Sequence, residues 1–357
     1  MSDVQDSFSG TRPVAPQHLF DEARLAEHLH SQIDGFGGDL RVEQFKGGQS
    51  NPTFLLTAGG RRYVLRRKPP GALLPSAHAV EREFRVIRAL AGSDVPVAQA
   101  HLLCEDPAVI GSAFYVMDFV DGRIFWDPTL PGMTTAERGA IYDELNRVIA
   151  ALHRVDPAAV GLGDYGKPGH YVERQVARWT KQYRASETDH IDAVDRLIEW
   201  LPQHLPTAGA TRIVHGDYRL DNVIFHPTEP RIVAVLDWEL STLGDPLADF
   251  AYHCMTWRMP AGASRGLAGI HVAALGIPDE AAYLQRYLER VGAGRSVSPA
   301  DWTYYLVFNM FRLVGILQGV AARALRGNAS SELAAQTGRR ARPLAEQAWA
   351  LAQTLTR

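Results

Sequence analysis

The sequence predicts an α+β fold of two lobes, a small antiparallel β-sheet lobe followed by a larger, mainly helical one. Three observations predict it. Short apolar runs broken by turn residues fill the stretch from Leu40 to Val120. After Asp121-Gly122 the apolar period becomes helical. A single β-rich island, Arg212 to Asp237, then interrupts the helices. The boundaries expected are a flexible tail over residues 1–16, the β-lobe over 17–118 and the helical lobe over 119–357. A β-lobe, connector and α-lobe in this order are what an active site in an interlobe cleft requires.

The elements follow in order. Met1 to Pro16 is small, polar and proline-bearing, the composition of a loose tail. Gln17 to Ile33 places Leu19, Phe20, Leu25 and Leu29 at helical spacing. Leu40 to Phe45, Thr53 to Thr57 and Arg62 to Arg67 read as strands, the last two joined at Gly59-Gly60, where a tight hairpin needs positive φ. Ala79 to Leu90 is an amphipathic helix, and Ala98 to Glu105 and Ala113 to Val120 are further strands. Thr135 to Arg154 is a long helix with Thr134 or Thr135 as N-cap and Glu137 in its first turn. Helices are expected at Tyr171 to Arg184, at Ile191 to Leu201 and again from about Leu247. The island carries strands on both sides of a turn at Pro227-Thr228-Glu229-Pro230.

Composition narrows the function classes. The 357 residues are 46% apolar and 22% charged, which excludes wholesale disorder. A net charge of -3, from 37 basic and 40 acidic residues, gives no reason to expect nucleic acid or a membrane surface as partner. Cys104 and Cys254 stand far apart, cannot form a disulfide framework and suit a reducing cytoplasm. No secretory leader is read at the start. The most apolar stretch, Leu306 to Leu325, carries Asn309, Arg312, Gln318 and Arg323, and reads as a buried helix rather than a membrane span.

The strongest chemical signal is His215-Gly216-Asp217-Tyr218-Arg219-Leu220-Asp221-Asn222, followed by a hairpin and Leu236-Asp237-Trp238-Glu239. The spacing H-x-D-x-x-x-x-N, with an aspartate after one hairpin, matches the catalytic loop and metal aspartate of the protein-kinase set. Moving a γ-phosphoryl group needs a carboxylate to orient and accept the proton of the attacking hydroxyl, a role for Asp217. Magnesium prefers hard oxygen ligands, which Asn222 and Asp237 would offer from one place if the hairpin brings them together. Any of these residues alone reads as a turn or a strand end; three positions at this spacing within 23 residues do not. His253 and Cys254 are adjacent, diverge by about 100° on a helix and read as packing residues.

The chain resembles the aminoglycoside phosphotransferase and choline-kinase-like superfamily, whose hallmark is His-Gly-Asp in place of His-Arg-Asp. Gly47-Gly48-Gln49-Ser50-Asn51-Pro52-Thr53, Val64 to Gly71 (VLRRKPPG) and Leu74 to His78 (LPSAH) are most similar to the kinase-like domain fused to some acyl-CoA dehydrogenases. The resemblance runs from about residue 40 to residue 255, and no dehydrogenase portion is expected in this chain. It implies a bilobal protein-kinase-like fold that takes ATP and Mg2+ and phosphorylates a hydroxyl of a small molecule.

The resemblance also implies residue roles. The loop Gly47 to Asn51 would cover the ATP phosphates, with Gly48 and the amide of Ser50 closest and Asn51 ending the motif. Arg66 stands where protein kinases carry lysine and would grip the α/β-phosphates, paired with Glu83 rather than Glu81. Strand alternation puts Val64, Arg66 and Lys68 on one face, with Val64 walling the adenine pocket. Met117 would line the back of that pocket, and the Asp118 carbonyl and Val120 amide would meet the base edge. His153 matches a family segment and would brace the catalytic loop.

For the acceptor, the acids Asp189, Asp192, Asp195 and Glu199 read as a solvated helix face rather than a cation site. Aromatic residues beyond Asp237, with Arg258 or Arg312 at a pocket mouth, would suit a hydroxyacyl group on an anionic carrier such as coenzyme A. The alternatives are an amino-alcohol or aminoglycoside kinase, a non-catalytic module that binds nucleotide or acyl-CoA, and, last, a protein kinase. Against the last, Trp238-Glu239 replaces Phe-Gly and no Ala-Pro-Glu follows. The sequence does not indicate an oligomeric state.

Overall fold

Period-two alternation in the first third of the chain builds a six-stranded sheet. The computed structural model describes residues 10–46, 51–69, 78–207, 209–262, 266–292, 296–325 and 338–355. The strands are β1 (Thr11–Arg12), β2 (Arg41–Phe45), β3 (Thr53–Ala58), β4 (Arg61–Arg67), β5 (Ala100–Cys104) and β6 (Phe114–Asp118), in the order β1-β2-β3-β4-β6-β5 and antiparallel throughout. One face packs Phe54, Leu56, Tyr63, Leu65, Phe114 and Val116 against Leu25 and Leu29 of helix α1 (Glu22–Gln32) and Ile33 just after it. Gly59 turns the β3–β4 hairpin at φ 56°, and a Cβ there would meet the Gly37 carbonyl oxygen at 2.5 Å, so only glycine fits.

The expected tail is partly ordered. Thr11 and Arg12 pair with Gln44 and Phe45, and the Ala15 N–H donates to Gln44 Oε1 at 3.0 Å. The segment satisfies an otherwise open strand edge, a tertiary gain that its composition does not advertise. Met1 to Ser9 lie outside the described residues.

Contacts divide the chain into two units, and the division differs from one cut after residue 118. The β-unit holds the chain up to Trp126, Val160–Leu162 and Arg219–Ser241. The last segment contains the hairpin of β8 (Val223–Phe225) and β9 (Ile232–Val235). Arg123 and Phe225 exchange both backbone hydrogen bonds at 2.8 Å, and the Val235 N–H donates to the Pro96 carbonyl at 2.9 Å. Gly122 permits this approach, since a Cβ on it would lie 2.2 Å from the Phe225 oxygen.

The α-unit holds Asp127–Ala159, Gly163–Tyr218 and the chain from Thr242 on. Its helices are α3 (Thr135–Arg154), α4 (Tyr171–Ser186), α5 (Asp192–Gln203), α6 (Pro246–Cys254), α7 (Glu280–Val291), α8 (Pro299–Leu325) and α9 (Ala341–Ala352). Thr134 caps α3 in a reciprocal capping box with Glu137. Strand β7 (Arg212–Val214) pairs with β10 (Thr242–Gly244), which sets the chain before His215 beside the chain entering α6. Helix α8 is long and apolar enough to cross a membrane by length and composition, yet 78% of its most apolar window is buried inside the protein, where it packs on α4, α6 and α9.

Candidate active site

In the β-unit, the face of the sheet opposite α1 carries Val64 and Arg66 on β4, directly across from Met117 and Tyr115 on β6. Helix α2 (Val80–Leu90) packs on β5 and β6 and against the turn Trp238–Leu240 that follows Asp237. Glu83 is only 1% exposed, and Arg66 reaches it with Nε 3.2 Å from Oε2. The same guanidinium donates from Nη2 to Asp237 Oδ1 at 3.1 Å. Tyr115 donates its hydroxyl to Glu83 Oε2 at 3.1 Å. Lys68, just past the end of β4, pairs with Glu81 at 2.8 Å, so the two helix acids are divided between two cations.

Burial opposes the charge on Arg66, but Glu83, Tyr115 and Asp237 together outweigh it and hold the guanidinium charged more firmly than usual. Burial pushes the Glu83 carboxyl up, and Arg66 pulls it back. Asp237 sits at φ 61°, a left-handed conformation uncommon outside glycine and the kind of local strain that concentrates at functional sites. The β8–β9 hairpin brings Asn222 and Asp237 to its open end, where the Leu236 N–H donates to the Asn222 carbonyl at 2.8 Å.

The remaining β-unit residues expected at the site fall as follows. Val64 and Met117 form a buried cross-strand pair. The Asp118 N–H is bonded to the Gln99 carbonyl at 2.9 Å, its carboxylate meets His101 at 2.7 Å, and Val120 is half-buried just beyond β6. Gly48 and Ser50 lie outside the described residues. Asn51 departs from expectation: its side chain is fully buried and committed to Glu83 and His78, so it does not line a phosphate surface.

The α-unit carries the His215-Gly216-Asp217 stretch. Gly216 adopts φ 84°, which is why glycine stands between the histidine and the aspartate. The consecutive N–H groups of His215 and Gly216 donate to Asp249 Oδ2 and Oδ1, at 2.7 and 2.8 Å. His153 donates from Nε2 to Asp249 Oδ2 at 3.1 Å, and its Nδ1 is hydrogen-bonded with the Tyr287 hydroxyl at 2.7 Å. Burial alone would raise the Asp249 carboxyl; His153, His215 and the backbone donors outweigh it and hold it below the usual carboxylate range.

Asp217 itself is half-buried, and Tyr252 donates to its Oδ1 at 2.6 Å. Tyr252 lies three residues after Asp249 on α6, one turn along the same helical face. Arg312 of α8 donates to the Gly216 carbonyl at 2.5 Å and stacks over Tyr252, 4.6 Å from the ring centre.

Sequence reasoning missed Asp249 and Tyr252 as parts of the site, and named Arg312 for an acceptor pocket without its bond to the catalytic loop. The available signal was a charged residue inside an otherwise apolar helix, which must find a partner when buried. Arg312 is buried and bonded to the Gly216 carbonyl, and the Arg258 guanidinium is bound by Glu280 at 2.8 Å. His253 is a packing residue, bonded to the Tyr283 hydroxyl at 2.8 Å, and Cys254 is fully buried.

Comparison with known proteins settles the family. The model of the phosphotransferase enzyme family, APH, matches residues 41–296. The chain belongs to the APH phosphotransferase enzyme family. Its fold is the bilobal, protein-kinase-like α+β fold of that family. A Ralstonia eutropha crystal structure, provisionally named an aminoglycoside phosphotransferase, is 58% identical with a TM-score of 0.87, over 94% of this chain and 99% of that one. Mouse acyl-CoA dehydrogenase family member 10 is 47% identical over 95% of this chain, and member 11 is 44% identical over 96%. The chain spans only 32% and 44% of the lengths of these two relatives.

The donor set fits a magnesium nucleotide. Among the described residues no three His, Cys, Asp or Glu side chains gather as a metal cluster. Mg2+ needs none, since it is usually held by one or two protein oxygens plus substrate phosphates. Asp237 is 35% exposed, and Arg66 Nε is buried with Glu83 as its ion-pair partner but without an aligned hydrogen bond. A partly exposed carboxylate beside a guanidinium held firmly charged suits a metal and a phosphate together.

Proposed function

We propose that this phosphotransferase moves the γ-phosphoryl group of ATP, with Mg2+, onto a hydroxyl of a small molecule, and that the acceptor is a hydroxyacyl-CoA. The observation that carries the reading is Arg66, one guanidinium held by Glu83 on one side and by Asp237 on the other. In this reading Arg66 grips the α/β-phosphates, Glu83 keeps it in place, and Val64, Met117, Asp118 and Val120 receive the base. Asn222 and Asp237 would hold Mg2+, which when bound neutralises phosphate charge. Asp217 orients the acceptor hydroxyl and takes its proton. Its loop is pinned by Asp249 and Arg312, so the carboxylate needs no reorganisation as the proton arrives.

The acceptor class is supported by the names of the mouse relatives, and the four acids weighed as a cation site offer no buried one. Of the candidate acids, Asp189, Asp192 and Glu199 are exposed and Asp195 is paired with Arg184 at 2.6 Å. The test supplies ATP and Mg2+ with hydroxyacyl-CoAs, amino alcohols and aminoglycosides, and follows ADP. ADP formed with a hydroxyacyl-CoA is the expected result. Turnover of aminoglycosides alone overturns the acceptor. Nucleotide-dependent thermal stabilisation without turnover across the panel points instead to a binding module.

A further inference from the structure

Two residues of the motif stretches in the sequence, Asn51 and His78, meet in the structure. His78 Nδ1 lies 3.0 Å from Asn51 Oδ1. Asn51 Nδ2 donates to Glu83 Oε1 at 2.8 Å, and Glu83 Oε2 faces Arg66. An unbroken polar chain therefore runs His78, Asn51, Glu83, Arg66, Asp237, all within the β-unit.

The chemistry of the chain sets its direction. Glu83 accepts the Asn51 NH2 group, so the Asn51 oxygen must face His78, and an amide oxygen only accepts. His78 Nδ1 is therefore the protonated, donating nitrogen. His78 holds this position at φ 60°, in the left-handed region that histidine enters more readily than most residues other than glycine. Asn51 is fully buried, so turning its amide over would set two donors against each other at His78 and two acceptors against each other at Glu83.

We propose that Asn51, locked in one amide orientation by the Nδ1–H of His78, is a positioning residue for the nucleotide. It fixes Glu83, which fixes Arg66, so triphosphate binding depends on a histidine–asparagine bond that touches no phosphate. The inference rests on the reading above that Arg66 meets the phosphates, and it adds the two residues that reading leaves without a role.

Calorimetry of the full chain with Mg-ATP and, separately, with adenosine tests it. His78→Leu should weaken Mg-ATP by about tenfold, the scale of a lost hydrogen bond to a charged network, and leave adenosine unchanged. His78→Asn, whose Nδ2 stands where Nδ1 stood, should keep Mg-ATP affinity within about threefold of wild type, whereas His78→Gln, with its donor placed further out, should not. Asn51→Asp sets a carboxylate against Glu83 and should lose Mg-ATP binding as His78→Leu does. His78 is partly exposed, so its variants report even if Asn51→Asp fails to fold. Equal losses of ATP and adenosine, or His78→Leu binding Mg-ATP as wild type does, overturn the inference and leave the proposed function standing. A wild-type chain that binds no Mg-ATP overturns both.

Discussion

The β-unit and the α-unit each bury a carboxylate at the heart of their polar cluster, and the two respond in opposite ways. Glu83 is pushed up, because burial together with the nearby Asp237 exceeds what one guanidinium and two neutral donors return. Asp249 is held down, because His153 and two fixed backbone N–H groups exceed the same burial. The difference lies in the partners. Asp249 is bound by His153 and by two main-chain N–H groups of the loop it fixes. Glu83 is bound chiefly by a side-chain cation that also contacts Asp237, an arrangement suited to a charge that must meet a ligand. One cluster is built for rigidity and the other for exchange of partners.

Breaking the ion pair gives the largest expected effect. Arg66→Met leaves Glu83 buried without its cation and should cost about 3–5 kcal/mol in urea unfolding, together with most Mg-ATP affinity. Adding Glu83→Gln should restore much of the stability and none of the affinity. Equal stability of the single and double variants would show that the pair is not the structural unit argued for the β-unit.

The α-unit offers a pH test of the next size. The His253 imidazole titrates at about 4 in the fold, against 6.5 for the free group, because burial disfavours its charge. Between those values the unfolded chain holds the extra proton, so stability is fully present above about pH 6.5 and declines as pH falls. The loss should reach about 3 kcal/mol by pH 4. Denaturant unfolding against pH should flatten in that window for His253→Gln, and an unchanged slope would remove the assignment.

Smallest is the cap of α3. Thr134→Ala removes the hydroxyl that accepts the Glu137 N–H at 3.2 Å and should cost about 1 kcal/mol, with Mg-ATP affinity and turnover unchanged. A change in affinity there would mean the cap is coupled to the nucleotide residues, against the separation drawn above.

Much of the β-unit cluster was legible because the resemblance named Arg66 and Glu83 as partners and local rules agreed with it. Alternation put Arg66 on the face with Val64, and helical spacing points Glu81 away from Glu83. The hairpin explained why Asn222 and Asp237 end up together. The α-unit cluster was harder to read. The motif named Asp217, but Asp249 and Tyr252 follow it by about thirty residues, and Arg312 comes from another helix, so their meeting at Gly216 and Asp217 is a property of packing. The ordered residues near Thr11 were illegible for a similar reason, since an edge strand this short takes its stability from the strand it covers.

The most direct measurement is a single-turnover rate of γ-phosphoryl transfer at saturating Mg-ATP and acceptor, for wild type and Asp217→Asn, beside the Mg-ATP dissociation constant of each. The account predicts equal nucleotide affinity and a rate lower by about 10²–10⁴-fold in the variant. A variant that transfers phosphate at the wild-type rate would contradict it.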